Sequence, residues 1–291
     1  MDRRKIIKKQ LRTALHSAVL ILGMAIIAAL CAYGLWGWKG MFAAFSGVIL
    51  GSALAPSFPA EAILRTYGAR PLGRDELPDL FAAVSTLSVH ASLPNAPELW
   101  YMPTQKPLAL TVGVPSKSAI MLSNGLIRLL TRRELMAVIA HEIGHVRNHD
   151  LRITTIADML ARMASIFANA GILLTLFNIP LVIAERMHFS WPTIVLLIVS
   201  PTIASLLQLA LSRTREFEAD MAAADLTGDP EALVAALMKM ETVEGRFWES
   251  ISPGRRMPDL RLLRTHPLTR ERVGRLRERG THNHFSRLPL P

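Results

Sequence analysis

The chain has 291 residues, 51% of them hydrophobic and only 19% charged, and a net charge of +10. Soluble domains carry about 25% charge, so this balance argues against an ordinary water-soluble globule and against a disordered chain. The single cysteine, Cys31, can form no intrachain disulfide and no Cys-rich zinc site, which leaves histidine and carboxylate to hold any metal.

The first twelve residues, MDRRKIIKKQLR, are a basic tail with six Lys/Arg and one Asp. Thr13 to Trp38 then contains no Asp, Glu, Lys or Arg. As a helix rising about 1.5 Å per residue, this run is long enough to cross a hydrocarbon layer of roughly 30 Å. A second uncharged run, Gly40 to Ala60, follows almost at once. The first run has no convincing small-x-small cleavage site, so it reads as a retained anchor rather than a signal peptide. Residues 75–92 space their apolar positions as an amphipathic helix does. The short pieces PELWYM, LALTVGV and SAIMLS, separated by Pro, Gly and Ser, read as strands of a small sheet.

Two further uncharged runs, Met163 to Ala184 and Phe189 to Ser212, complete four spanning candidates in two hairpins, the second pair interrupted by Asn178, Pro180 and Pro201. Asp229-Pro230 places an N-cap and a first-turn proline ahead of a late helix over about 230–243. Basic residues concentrate in the tail, in 61–162 and after Arg213, so the positive-inside tendency puts these parts on the cytoplasmic side. From Pro253 onward ten Arg oppose three acidic residues, a stretch suited to anionic head groups. No RNA or DNA motif accompanies it, and a nucleic-acid partner is not expected.

The chemistry lies in His141-Glu142-Ile143-Gly144-His145. Thr131-Arg132-Arg133-Glu134 matches a capping box and the apolar LMAVIA follows, so the segment reads as a helix. Residues four apart share a helix face, which lets both imidazoles reach one metal ion with Glu142 beside them. Chance would give this HExxH pattern only about 0.01 times in a chain of this composition. Asn148 and Leu151 stand where a metzincin needs Gly and His, which excludes that class, and His149 reads as an exposed or supporting histidine. A third ligand is to be sought in Ser212–Asp220. If that segment is helical, Glu216 and Asp220 share one face and Glu218 turns roughly 200° away. One carboxylate can then bind metal while the other orients a ligand imidazole.

HEIGHVRNHD, SRTREFEAD, the upstream GARPLGRDELPDLF and the downstream THPLTRERVGRL together resemble the HtpX-type membrane zinc metalloproteases, relatives of the CAAX prenyl endoproteases. The resemblance implies one zinc ion held by His141, His145 and Glu216, Glu142 as general base, and Asp220 as the carboxylate behind a ligand histidine. It further implies polypeptide substrates, membrane proteins among them, in a stress or quality-control role, and a bacterial inner membrane with the active site facing the cytoplasm. The family usually reads NAFATG where this chain has Leu108-Ala109-Leu110-Thr111-Val112-Gly113, so Leu108 replaces an Asn beside the strand expected to pair with substrate backbone through Ala109, Leu110, Thr111, Val112 and Gly113. Its HPP motif is here His266-Pro267-Leu268, with His266 or Arg272 expected to steady the oxyanion or the cleft.

The fold expected is α+β, mainly α, with four transmembrane helices and a cytoplasmic zincin-like domain containing a small sheet. Its parts would be a tail (1–12), a first hairpin (13–60), a catalytic part with the HExxH helix (61–152), a second hairpin (153–212), and a second catalytic part with the third ligand and the Arg-rich end (213–291). Competing readings are a prenyl-protein-type endoprotease, an inactive membrane scaffold with a structural zinc, and a membrane-anchored nucleic-acid or lipid binder.

Overall fold

The computed structural model describes residues 3–54, 60–183, 190–251 and 269–284. In chain order the elements are α1 (Arg3–Leu54), α2 (Ala60–Thr66), β1 (Arg70–Pro71), α3 (Pro78–His90), β2 (Glu98–Met102), β3 (Ala109–Val114), β4 (Lys117–Ser123), α4 (Asn124–Leu129), α5 (Arg132–Arg147), α6 (Asp150–Ile183), α7 (Trp191–Thr227), α8 (Pro230–Ile251) and α9 (Thr269–His284). They form two compact units, one of Met1–Ser57 and Arg152–Thr214, the other of Phe58–Leu151 and Arg215–Pro291.

Three helices among the described residues are long and apolar enough to cross a membrane, over Leu11–Gly51, Asp150–Pro180 and Trp191–Thr227, the last two having residues 150–151 and 215–227 in the second unit. The first carries the leading uncharged run and the second as far as the helix is described, because α1 doubles back at Gly37. That residue has φ 61° and ψ −149°, a backbone region open only to glycine. A Cβ placed on Gly40 would lie 2.5 Å from the carbonyl oxygen of Ala32, whereas eight residues of straight helix would separate the two by about 12 Å. Val48 likewise packs on the cluster containing Met24 and Ala28.

The prolines that interrupt the later runs do not end their helices: α6 continues through Pro180 and α7 through Pro201. Pro201 has no N–H to give to the Leu197 carbonyl, and the Ser200 hydroxyl donates to that oxygen instead, at 3.2 Å. The cluster at the centre of the first unit is rich in alanine, with Ala28, Ala157, Ala161, Ala164 and Ala204, which lets helix backbones approach closely. Gln208 of α7 donates to Asp158 of α6. Leu15, Leu22, Phe42, Phe45, Phe177 and Trp191 are exposed, an outer surface that suits lipid rather than water.

The second unit is built on a four-stranded sheet of order β1-β2-β4-β3, in which β2 and β4 are parallel and the other pairs antiparallel. Side-chain alternation splits its two faces. Leu99, Ile120 and Leu122 pack with residues of α3, α5 and α8, while Trp100, Val112, Ala119 and Met121 pack with Ala60 and Leu64 of α2. The three strands read from the sequence are present as β2, β3 and β4. The amphipathic helix begins at Pro78 rather than 75, and the late helix runs to Ile251 rather than 243, with Asp229 Oδ1 accepting from Ala232 N at its start. The short α2 and β1 carry too few residues for any periodicity to reveal them.

Candidate metal centre

Helix α5 opens on the capping box: Thr131 Oγ1 accepts from Glu134 N at 3.4 Å and Glu134 Oε2 from Thr131 N at 2.8 Å. Lys239 of α8 donates to the same carboxylate at 2.7 Å. The apolar residues Val138, Ile139, Ala140, Ile143 and Val146 are buried, which fixes the rotation of α5 about its axis. His141 and His145, one turn apart, then stand side by side with their Nε2 atoms 3.1 Å apart.

Helix α7 lies against this turn because Gly144 has no side chain. A Cβ there would come within 3.0 Å of Ala222 Cβ and 3.2 Å of Ala219 O. The close approach brings Glu216 between the rings, with its carboxylate oxygens 3.6 Å from His141 Nε2 and 3.7 Å from His145 Nε2. One ligand atom from each of His141, His145 and Glu216 lies within 4.8 Å of the others.

Each ring is backed by a second carboxylate. His145 Nδ1 is 2.8 Å from Asp150 Oδ2, and His141 Nδ1 is 3.0 Å from Asp220 Oδ1, within range by distance though not aligned as a hydrogen bond. Arg272 of α9 donates to both oxygens of Asp220, from Nε at 2.8 Å and Nη2 at 2.6 Å, and its Nη1 lies 3.1 Å from Glu216. Arg215 pairs with Asp150 at 3.2 Å and with Glu218 at 2.9 Å.

These residues fit a divalent cation. Bonds of about 2.0–2.1 Å in a tetrahedron require ligand atoms roughly 3.4 Å apart. The two Nε2 atoms are 3.1 Å apart, and each faces its own Glu216 oxygen, Oε2 at 3.6 Å from His141 and Oε1 at 3.7 Å from His145. The buried charged groups around the rings are Glu142, Asp150, Glu216 and Asp220 against Arg215 and Arg272, four negative and two positive, an imbalance that one divalent ion cancels. The basicity of His145 reflects the same appetite for positive charge. Burial works against a proton on its ring, but the Asp150 hydrogen bond and the charges of Glu142, Glu216 and Asp150 outweigh it and lift the pKa from 6.5 to about 9.

Glu142 projects from the same helix turn toward β3, where the Thr111 hydroxyl donates to its Oε2 at 2.5 Å. Strand β3 is the outer strand of the sheet. The Leu108 carbonyl accepts from Ser123 N on the β4 side, so alternation turns the main-chain groups of Ala109, Thr111 and Gly113 toward the edge that no strand pairs with among the described residues. Leu108, Leu110 and Val112 instead belong to the cluster on the α2 face.

Of the residues singled out in the sequence, His141, His145, Glu216, Asp220, Arg272 and Glu142 come together here. Glu218 does not join the ligand set and pairs instead with Arg215, His149 is exposed, and His266 lies outside the described residues. Sequence reasoning missed Asp150. It reaches back to His145 because the chain turns between α5 and α6 at His149, which has φ 57°. An acid five residues beyond the second histidine was the available signal. The Thr111 hydroxyl was also missed, because the strand's pattern speaks only for its main chain.

Residues 76–280 match the family described as Peptidase family M48. A protease HtpX homolog from Pyrococcus furiosus is 34% identical over 259 residues, covering 84% of this chain and 89% of its own. Another, from Acidiphilium cryptum, is 34% identical over 281 residues, covering 88% and 94%. The crystal structure of S. mikatae Ste24p is similar at a TM-score of 0.49 and 19% identity, with 94% of this chain and 66% of that one covered. With a family match over most of its length and relatives of this identity, the chain belongs to peptidase family M48, among the HtpX-type membrane metalloproteases.

Proposed function

We propose that this protein is an integral-membrane zinc endopeptidase of the HExxH-plus-glutamate type, and that it cleaves misfolded or exposed membrane proteins in extended form. The observation that carries the reading is the convergence of His141, His145 and Glu216 beside Glu142. These three would hold the ion, and Asp150 and Asp220 would fix the rings that bind it. When bound, zinc supplies a Lewis acid that polarises the scissile carbonyl and lowers the pKa of the attacking water towards 7. Glu142 accepts the proton of that water and passes it to the departing amine. The free edge of β3 takes the substrate as an added strand, so Ala109, Thr111 and Gly113 supply main-chain hydrogen bonds and sequence preference is loose. Leu108, in place of the family's Asn, removes a polar group from the end of that strand and alters substrate range rather than chemistry. His266 or Arg272 steadies the oxyanion or the cleft around it, and Arg272 also braces Asp220 and Glu216.

The two arms of α1 with α6 and α7 make four crossings in this reading, and the basic tail sets the catalytic part on the cytoplasmic face of the inner membrane. Glu142→Gln in the purified, zinc-loaded protein is expected to keep one zinc per chain and to lose casein hydrolysis and self-cleavage. Undiminished turnover removes Glu142 from the mechanism. Glu216→Ala is expected to lower zinc content and Glu218→Ala to leave it, and the reverse outcome identifies the wrong carboxylate.

A further inference from the structure

Thr111 occupies a position where two functions meet. The residue as a whole is buried, 6% exposed, and its side chain points to α5, where its hydroxyl donates to Glu142 Oε2 at 2.5 Å. Its main-chain N–H and C=O lie in the plane of the sheet and are directed to the side of β3 that no strand pairs with among the described residues. Glu142 is itself buried, and among the described residues its Oε1 has no hydrogen-bond partner. Its carboxylate would be free to rotate about its last torsion without Thr111, because terminal torsions of this kind are broad.

We propose that Thr111 is a positioning residue for Glu142. Its hydroxyl pins Oε2 and leaves Oε1 aimed at the reacting water, while its own N–H and C=O hold the substrate strand. The residue that seats the substrate therefore also sets the orientation of the group that acts on it. This inference rests on the reading of Glu142 as the proton acceptor, and it goes further by naming what holds that acceptor.

The test compares Thr111→Val, which keeps shape and main chain but removes the donor, with Thr111→Ser, which keeps the donor and removes a methyl. Both are made in the full-length, detergent-purified protein, with zinc content and steady-state cleavage of a fluorogenic peptide as readouts, and Glu142→Gln alongside. Thr111→Val is expected to retain zinc at the parent's stoichiometry and a KM within about twofold, while kcat falls by about tenfold to a hundredfold, the range for losing a hydrogen bond to a charged group. Thr111→Ser is expected to recover kcat to within about threefold of the parent, although it is the worse fit for packing. A Val variant with the parent's kcat overturns the proposal. So does a Ser variant as slow as Val, which assigns the residue to packing, a loss expressed in KM alone, which assigns it to substrate seating, or a loss of zinc. If Glu142→Gln itself stays active, the reading beneath the proposal fails instead, and the two failures are told apart by that one variant.

Discussion

Arg272 offers the sharpest test of how the site is held. Its guanidinium is buried, forks onto both oxygens of Asp220 at 2.8 and 2.6 Å, and reaches Glu216 at 3.1 Å. Arg272→Met preserves most of the apolar stem but strands two buried carboxylates, and breaking a buried pair from one side costs about 3–5 kcal/mol. At roughly 2–4 °C per kcal/mol for a domain of this size, the melting temperature should fall by about 6–20 °C. Arg272→Lys keeps the charge and loses the fork, so it should fall between parent and Arg272→Met. Arg277→Met is the control, because its partner Glu231 is 3.5 Å away and both side chains are more than half exposed, at 58% and 55%. Such a pair contributes at most about 1 kcal/mol. The measurement is thermal unfolding of the detergent-purified protein followed by intrinsic fluorescence, with zinc affinity determined by competition. An Arg272→Met protein that melts with the parent, or an Arg277→Met change as damaging, would refute the claim that Asp220 and Glu216 depend on this guanidinium.

Gly144→Ala is expected to weaken zinc binding about tenfold or more and to lower the melting temperature of the zinc-loaded protein, while the metal-free protein changes little. In the absence of metal a helix-propensity gain of about 1 kcal/mol offsets the strain of pushing α7 away from Ala219 and Ala222. Equal zinc affinity in parent and variant, measured by chelator competition, would show that the close approach is not needed. Gly37→Ala should destabilise by about 1–3 kcal/mol although no atom lies within 4 Å of the added methyl, whereas Gly47→Ala, equally open but helical, should be stabilising by up to about 1 kcal/mol in the same unfolding assay. Burial pushes the Glu134 carboxyl up, but Lys239 and the Thr131 cap outweigh it and hold its folded pKa below the ordinary value. Its contribution is therefore complete above the unfolded pKa of about 4.5 and declines as pH falls through the lower folded value, so Glu134→Gln should flatten that acid limb of the stability profile.

What can be read from the sequence is whatever a single helix or strand fixes by its own period. Four-residue spacing alone places the rings of His141 and His145 side by side, and it puts Glu216 and Asp220 on one face with Glu218 turned away. Which of those two acids faces the Nε2 atoms cannot be read, because it depends on how far α7 slides along α5, and that register is set by contact of Gly144 with Ala219 and Ala222, more than 70 residues away in the chain. Asp150 is hidden for a related reason: its approach to His145 depends on a left-handed backbone at His149, which no side-chain pattern announces. The leading apolar runs are legible as two segments, but their joining in one element that doubles back at Gly37 is a property of a single residue's φ and ψ. Pro201 reads as a break because the Ser200 hydroxyl that satisfies the freed carbonyl is visible only once the helix exists.

The distribution of charge gives the site its logic. Helix α5 brings two imidazoles and Glu142, α7 brings Glu216, Asp220 and Arg215, Asp150 starts α6, and α9 brings Arg272. Few of these elements are electrically balanced on their own, and the buried set as a whole still lacks two positive charges. A proton drawn onto the His145 ring supplies only one of them. A divalent cation would complete the balance, and its binding would add to the apolar packing that already holds α5 against α7 at a contact with no room for a methyl group. Metal affinity and the stability of the metal-loaded second unit are then linked, and a substitution that loosens the approach at Gly144 or the brace at Arg272 is expected to register in both.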